Sequence, residues 1–145
     1  MGRVMNYTPN KLRETLHAVG LSATSQRLAL GELIFGRGDR HLSAEQLRQE
    51  ALEARISVSL ATIYNTLRQF ARAGLLREVV VDPGRSYFDT NLSEHHHFFH
   101  EDEGRLEDIS GDRLSVNDLP PAPAGTDIRR VDIIIRVGSR AHAGQ

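Results

Sequence analysis

The chain has 145 residues and no cysteine. That absence excludes disulfides, thiolate zinc sites, iron-sulfur clusters and cysteine nucleophiles, so any bound metal must use nitrogen and oxygen ligands. Long apolar runs are missing too. Nothing approaches the roughly 20 residues of a membrane span, and the opening MGRVMNYTPNK lacks the apolar centre of a signal peptide. The expectation is a cytoplasmic protein with no membrane partner. The length suits one ordinary domain or two small ones with modest cores, which oligomerisation would help.

Charge is unevenly spread beneath a net value of -1. Residues 1–88 carry 12 Lys/Arg against 8 Asp/Glu, whereas residues 89–145 carry 6 against 11. A basic half followed by an acidic half suggests a polyanion partner for the first and cation binding for the second.

Four helices are expected in the basic half. KLRETLHAVG places Leu12, Leu16 and Val19 at helical spacing and stops at Gly20. Thr24 or Ser25 caps QRLALGELIFG, with Leu30, Leu33 and Ile34 inward and Gly31 as a weak helix former inside it. Ser43 and Gln46 have capping-box spacing for SAEQLRQEALEAR, which presents Leu47 and Ala51 to a core. Ser59 caps LATIYNTLRQFARAG, whose Ile63, Leu67 and Phe70 form one stripe. LLREVVV and SYFDT then flank Asp82-Pro83-Gly84-Arg85 as a hairpin, and the whole half reads as a winged helix. After Thr90-Asn91 the strand candidates are HHHFFHEDE, RLEDIS and RRVDIIIRV, and prolines in the connection between them forbid a long helix. The expected fold class is α+β, with a winged-helix DNA-binding domain over residues 1–90 and a small α/β domain over 91–145.

The fourth helix has a polar face of the kind that reads a major groove. Short polar or methyl-bearing side chains reach base edges, while Arg and Tyr hold phosphates. Ser59, Ala61, Thr62, Tyr64, Asn65 and Arg68 fit that description. Arg27 and the wing-turn Arg85 are further phosphate candidates.

HHHFFH gathers four of the seven histidines. Alternation along a strand puts His95 and His97 on one face and His96 and His100 on the other. The first pair, with carboxylates, suits a borderline divalent ion such as Fe(II), Mn(II) or Zn(II). Asp89, Glu94, Glu101, Asp102, Glu103, Glu107 and Asp108 are all near in sequence, and spacing does not choose among them. Glu94 and His96, with His100 further along, make a candidate second metal or haem site on the opposite face.

SLATIYNTLRQFARAGLL, HLSAEQL and HHHFFH, in this order, resemble the ferric uptake regulator (Fur) family over roughly residues 10 to 137. The resemblance implies a winged-helix domain followed by a dimerisation domain, and a homodimer that represses or activates promoters at palindromic double-stranded DNA according to bound metal. It also implies a regulatory site of His41, Asp89, His95, His97 and Asp108 for Fe(II) or Mn(II), open to zinc in isolated protein. Relatives hold a structural zinc through paired CxxC motifs, which this chain cannot do; His100 and Glu103 stand where the first pair would be. YFDTNLSEHHHFF and VDIIIRV look most like the iron response regulator (Irr) branch, whose members sense haem as well as metal in controlling iron and haem homeostasis genes. Because the Cys-Pro haem motif is missing, haem would have to use the histidines. Asn65 and Asp89 resemble the peroxide sensor PerR, in which Fe(II) oxidises its own histidine ligands; here these would be His41 and His95. A small metal-dependent hydrolase is the third reading, and it leaves the fourth helix and wing unexplained.

Overall fold

The computed structural model describes residues 8–140, so the reading of the first seven residues lies outside it. Two compact units divide the chain, one ending at Ser93 and the other beginning at Glu94.

The first unit begins with α1 (Pro9–Ala18), α2 (Ser25–Phe35), β1 (His41–Leu42), α3 (Ala44–Glu53) and α4 (Leu60–Arg72). The hairpin β2 (Arg77–Asp82) and β3 (Arg85–Asp89) completes it, in a three-stranded sheet ordered β1-β3-β2. Every helix has a hydroxyl cap: Thr8, Thr24, Ser43 and Ser59 each accept from the backbone N–H three residues on. Such a cap contributes about 1 kcal/mol. The Gln46 side chain does not complete a capping box; its amide lies 3.5 Å from Glu50.

The helical stripes converge as expected, with Leu12, Leu16, Leu30, Ile34, Leu47, Ile63, Leu67 and Phe70 fully buried. Burying each such side chain contributes roughly 1.5–3 kcal/mol. Val19 departs from the expectation: α1 ends at Ala18, Val19 becomes its C-cap, and the side chain faces solvent. Gly20 turns left-handed, and Leu21 N–H closes on the Leu16 carbonyl at 2.9 Å.

Strand β1 has no hydrophobic run to announce it. Two residues suffice because Leu42 is fully buried opposite Phe88 and because Arg40 and Thr90 extend the pairing. Arg40 N–H donates to the Thr90 hydroxyl at 2.9 Å, and Thr90 N–H donates to the Arg40 carbonyl at 3.1 Å. The Arg40 guanidinium is anchored on the buried Glu50 by hydrogen bonds to both carboxylate oxygens and on the Leu33 carbonyl.

The second unit is a three-stranded sheet ordered β5-β4-β6, formed by β4 (His95–His100), β5 (Arg105–Ser110) and β6 (Ile134–Val137). β4 pairs antiparallel with β5 and parallel with β6. The α+β class therefore describes the chain as a whole, with all α-helices of the described residues in the first unit. Between β5 and β6 the chain is extended and turning, with Pro120, Pro121 and Pro123 breaking any helix. RRVDIIIRV joins the ladder only from Ile134.

Two backbone positions generate stability predictions. A Cβ on Gly31 would lie 2.6 Å from Leu12 Cδ2, so this glycine sets the approach of α1 to α2. Gly31→Ala is expected to lose about 1 kcal/mol in chemical denaturation, since overpacking at roughly 1–3 kcal/mol outweighs a helix-propensity gain of about 1. In a Leu12→Ala background the same change is expected to stabilise instead. Arg55, at φ 61, is the left-handed non-glycine residue that ends α3, with Ile56 N–H bonded to the Ala51 carbonyl at 2.8 Å. Arg55→Gly is expected to raise stability by about 0.5–1 kcal/mol; a loss would mean that the arginine side chain compensates the backbone cost.

Candidate functional site

Ser59 starts α4 with its hydroxyl both accepting from Thr62 N–H at 3.1 Å and donating to Thr62 Oγ1 at 3.0 Å. The first two turns of the helix thus present Ser59, Ala61 and Asn65 exposed and Thr62 partly exposed, with Arg68 exposed one turn on. The stripe Ile63, Thr66, Leu67 and Phe70 is buried behind them, which fixes which face remains available.

Three residues assigned to phosphates are held by protein groups. Arg27 donates to the Ser22 carbonyl at 2.9 Å and to Gln69 Oε1 at 3.2 Å, so it braces α2 against α4. Arg85 is paired with Asp82 at 2.6 Å across the wing turn, where Gly84 takes positive φ. Tyr64 donates its hydroxyl to Glu45 Oε2 at 3.0 Å, and the Arg68 guanidinium lies 5.3 Å from the Tyr64 ring centroid. Burial first, then the hydrogen bond and negative charge of Glu45, raise the Tyr64 phenol above its ordinary pKa, while Arg68 opposes them. Glu45 lay hidden in the sequence as an ordinary first-turn acid of α3; only the packing of α3 on α4 brings it to Tyr64.

The first unit also holds a candidate ligand pair. Cross-strand register sets His41 opposite Asp89, with Nε2 and Oδ2 3.3 Å apart. The other Asp89 oxygen accepts from Asn91 N–H at 2.9 Å, and Asn91 Oδ1 in turn accepts from Ser93 N–H at 3.0 Å.

The second unit holds a triad. His95 and His97 share one face of β4, as alternation requires, and Asp108 is the register partner of His97. Both imidazoles direct Nε2 at the same oxygen: His95 lies 3.3 Å and His97 3.5 Å from Asp108 Oδ1. Of the seven carboxylates near in sequence, the sheet selects Asp108 for this face. Two imidazole nitrogens and one carboxylate oxygen converging in this way fit Fe(II), Mn(II) or Zn(II) by donor chemistry.

On the opposite face Glu94, His96 and His100 do not form a comparable cluster. His96 Nδ1 accepts from Ile133 N–H at 3.1 Å, which fixes its tautomer and ties β4 to the chain leading into β6. His100 Nε2 pairs with Glu107 at 2.9 Å, and its Nδ1 lies 3.9 Å from Glu103. Arg105 bonds to Glu103 at 2.9 Å, and that hydrogen bond and charge draw the exposed Glu103 carboxyl below its ordinary value. This end of the hairpin is crosslinked by ion pairs.

The described chain thus combines a winged helix whose fourth helix exposes a polar face with a β-sheet unit bearing a His/Asp triad. The chain belongs to the ferric uptake regulator family, whose profile matches residues 18–128. It is 38% identical over 95 residues to the ferric uptake regulation protein of Cupriavidus metallidurans, a match covering 65% of this chain and 66% of that protein. The solved ferric uptake regulator from Pseudomonas aeruginosa with manganese has a TM-score of 0.66 at 23% identity, over 89% of this chain and 98% of that one. The Francisella tularensis ferric uptake regulator with iron has a TM-score of 0.67 at 18% identity, covering 84% and 94%. At those identities the two structures establish the fold. Family membership sets the hydrolase reading aside. Among the described residues, no helix is long and apolar enough to cross a membrane.

The geometry of β4 makes a direct prediction for metal binding. In calorimetric titration with Mn(II), His95→Ala and His97→Ala are expected to weaken binding at least about tenfold, and His96→Ala and His100→Ala to change it far less. Equal losses in all four would show that strand alternation does not define the site.

Proposed function

We propose that the chain is a metal-responsive, homodimeric transcriptional regulator that reads palindromic operator DNA in the cytoplasm. The observation that carries this reading is the exposed polar face of α4, backed by its buried stripe and followed directly by the wing. Ser59, Ala61, Thr62 and Asn65 serve base edges, and Arg68 serves the phosphate backbone. Arg27 and Arg85 act at the margin of the duplex, with Arg85 exchanging its Asp82 partner for phosphate.

The first unit is the DNA-binding domain and the second the dimerisation and sensing domain. His41, Asp89, His95, His97 and Asp108 are the ligands of a shared regulatory ion, Fe(II) or Mn(II). Support comes from the donor set: the pair in the first unit and the triad in the second are each too small to fill the shell of such an ion. When bound, the ion supplies a fixed link between segments of the chain, biasing the pose in which a dimer meets two half-sites. The manganese and iron found with the two solved relatives agree with this choice of metal. The reading extends to the control of iron and haem homeostasis genes as in the iron response regulator branch, with haem a second effector at the remaining β4 histidines.

The test is gel-shift binding to promoter DNA of the iron-uptake genes in the chain's own genome, with Mn(II) or with chelator, across a salt series. Metal is expected to change the affinity, and a steep salt dependence is expected as counterions are released. Arg68→Ala should weaken binding to all duplexes and reduce the salt slope by about 1. Salt-independent binding, or none under either metal condition, would sink the proposal.

A further inference from the structure

Glu45 is an acid on a surface proposed to meet a polyanion. Acids in the first turn of a helix are ordinarily explained by the helix dipole. Here the carboxylate reaches past its own helix, because Glu45 Oε2 takes the hydrogen of the Tyr64 hydroxyl at 3.0 Å, 19 residues along the chain. Tyr64 lies on α4 between the exposed Ala61, Asn65 and Arg68, and Arg68 sits over its ring at 5.3 Å. A cation, a ring and an anion therefore follow one another across the reading face.

Two chemical consequences follow. A phenol has one hydrogen, and this one is committed to a carboxylate, so Tyr64 has no donor for a phosphate and meets the duplex through its ring. Like charges repel as well: the Glu45 carboxylate opposes every phosphate that approaches the face, whatever the base sequence. Only a duplex that gains enough from base contacts overcomes that opposition. We infer that Glu45 is a positioning and specificity residue of the DNA-reading surface, which locks Tyr64 as a ring contact and suppresses indiscriminate duplex binding.

This inference rests on the DNA-reading proposal, and the experiment separates the two. Duplexes selected from a random pool by the wild-type, Mn(II)-loaded protein are compared with scrambled duplexes, using Glu45→Gln, Glu45→Ala, Tyr64→Phe and Glu45→Ala/Tyr64→Phe. Glu45 is exposed, and thermal unfolding checks that each variant remains folded. Glu45→Gln keeps an acceptor and removes the charge; it is expected to tighten binding to scrambled DNA by about three- to tenfold, whereas on the selected duplex the same gain is offset by the weaker hold of a neutral acceptor on Tyr64, leaving a change of less than twofold. Glu45→Ala is expected also to lose about five- to tenfold on the selected duplex, and adding Tyr64→Phe to it should cost nothing more. Phenolate absorbance against pH gives an independent readout: the Tyr64 midpoint should fall towards the ordinary value in both Glu45 variants. Unchanged selectivity in Glu45→Gln and Glu45→Ala, or additive losses in the double variant, would overturn the inference while leaving DNA reading intact. A wild-type protein that selects no sequence from the pool overturns both.

Discussion

The pairing of a two-residue strand with the end of the wing is the constraint on which the first unit depends. Leu42 enters the core opposite Phe88, and the same register brings His41 opposite Asp89. Hydrophobic burial and the His41–Asp89 pairing are thus one event, because a one-residue slip would turn the Leu42 and His41 side chains to the wrong faces together. Such a short strand is weak alone. The reciprocal Arg40–Thr90 hydrogen bonds and the Arg40–Glu50 pair lock its position, and removing Glu50 would leave a little-exposed guanidinium without its carboxylate.

In the second unit the same period-two logic separates two chemistries on one strand. His95 and His97 converge on Asp108, while His96 and His100 are occupied on the reverse face by a backbone amide and a glutamate. The reverse-face contacts hold β4 to both neighbours: His96 to the segment before β6 and His100 to β5. Behind the triad, His96 and His100 each make a contact that ties β4 to a neighbouring segment. A haem role for His96 or His100 would have to displace those contacts, which sets an energetic cost on that effector relative to metal.

Most of the helices were legible because their caps and apolar stripes are local signals, as with Ser59 and the Ile63, Leu67, Phe70 series. Val19 misled because helical spacing continues past the residue at which the chain turns on Gly20. β1 was invisible: two residues contain no period, and its pairing partners lie more than 40 residues away. The pairing of faces on β4 could be read from alternation, but the choice of Asp108 over six other carboxylates required the β4–β5 register. The partners of Glu45 and Arg27 were illegible for a related reason. Sequence gives the type of a charged group, whereas its partner depends on which helices pack together, and here α4 supplies that partner in both cases.

Asp89 divides its two oxygens between different tasks. Oδ1 closes a turn on Asn91, the first of two successive side-chain turns that carry the chain to Ser93, and Oδ2 faces His41. Anchored through Oδ1, the carboxylate turns Oδ2 towards the imidazole from a fixed direction. The length of the side chain then becomes a gauge: a glutamate, one methylene longer, could not keep the turn and the imidazole-facing oxygen in the same places. Aspartate at this position couples the path of the chain out of the wing to the direction in which Oδ2 meets His41.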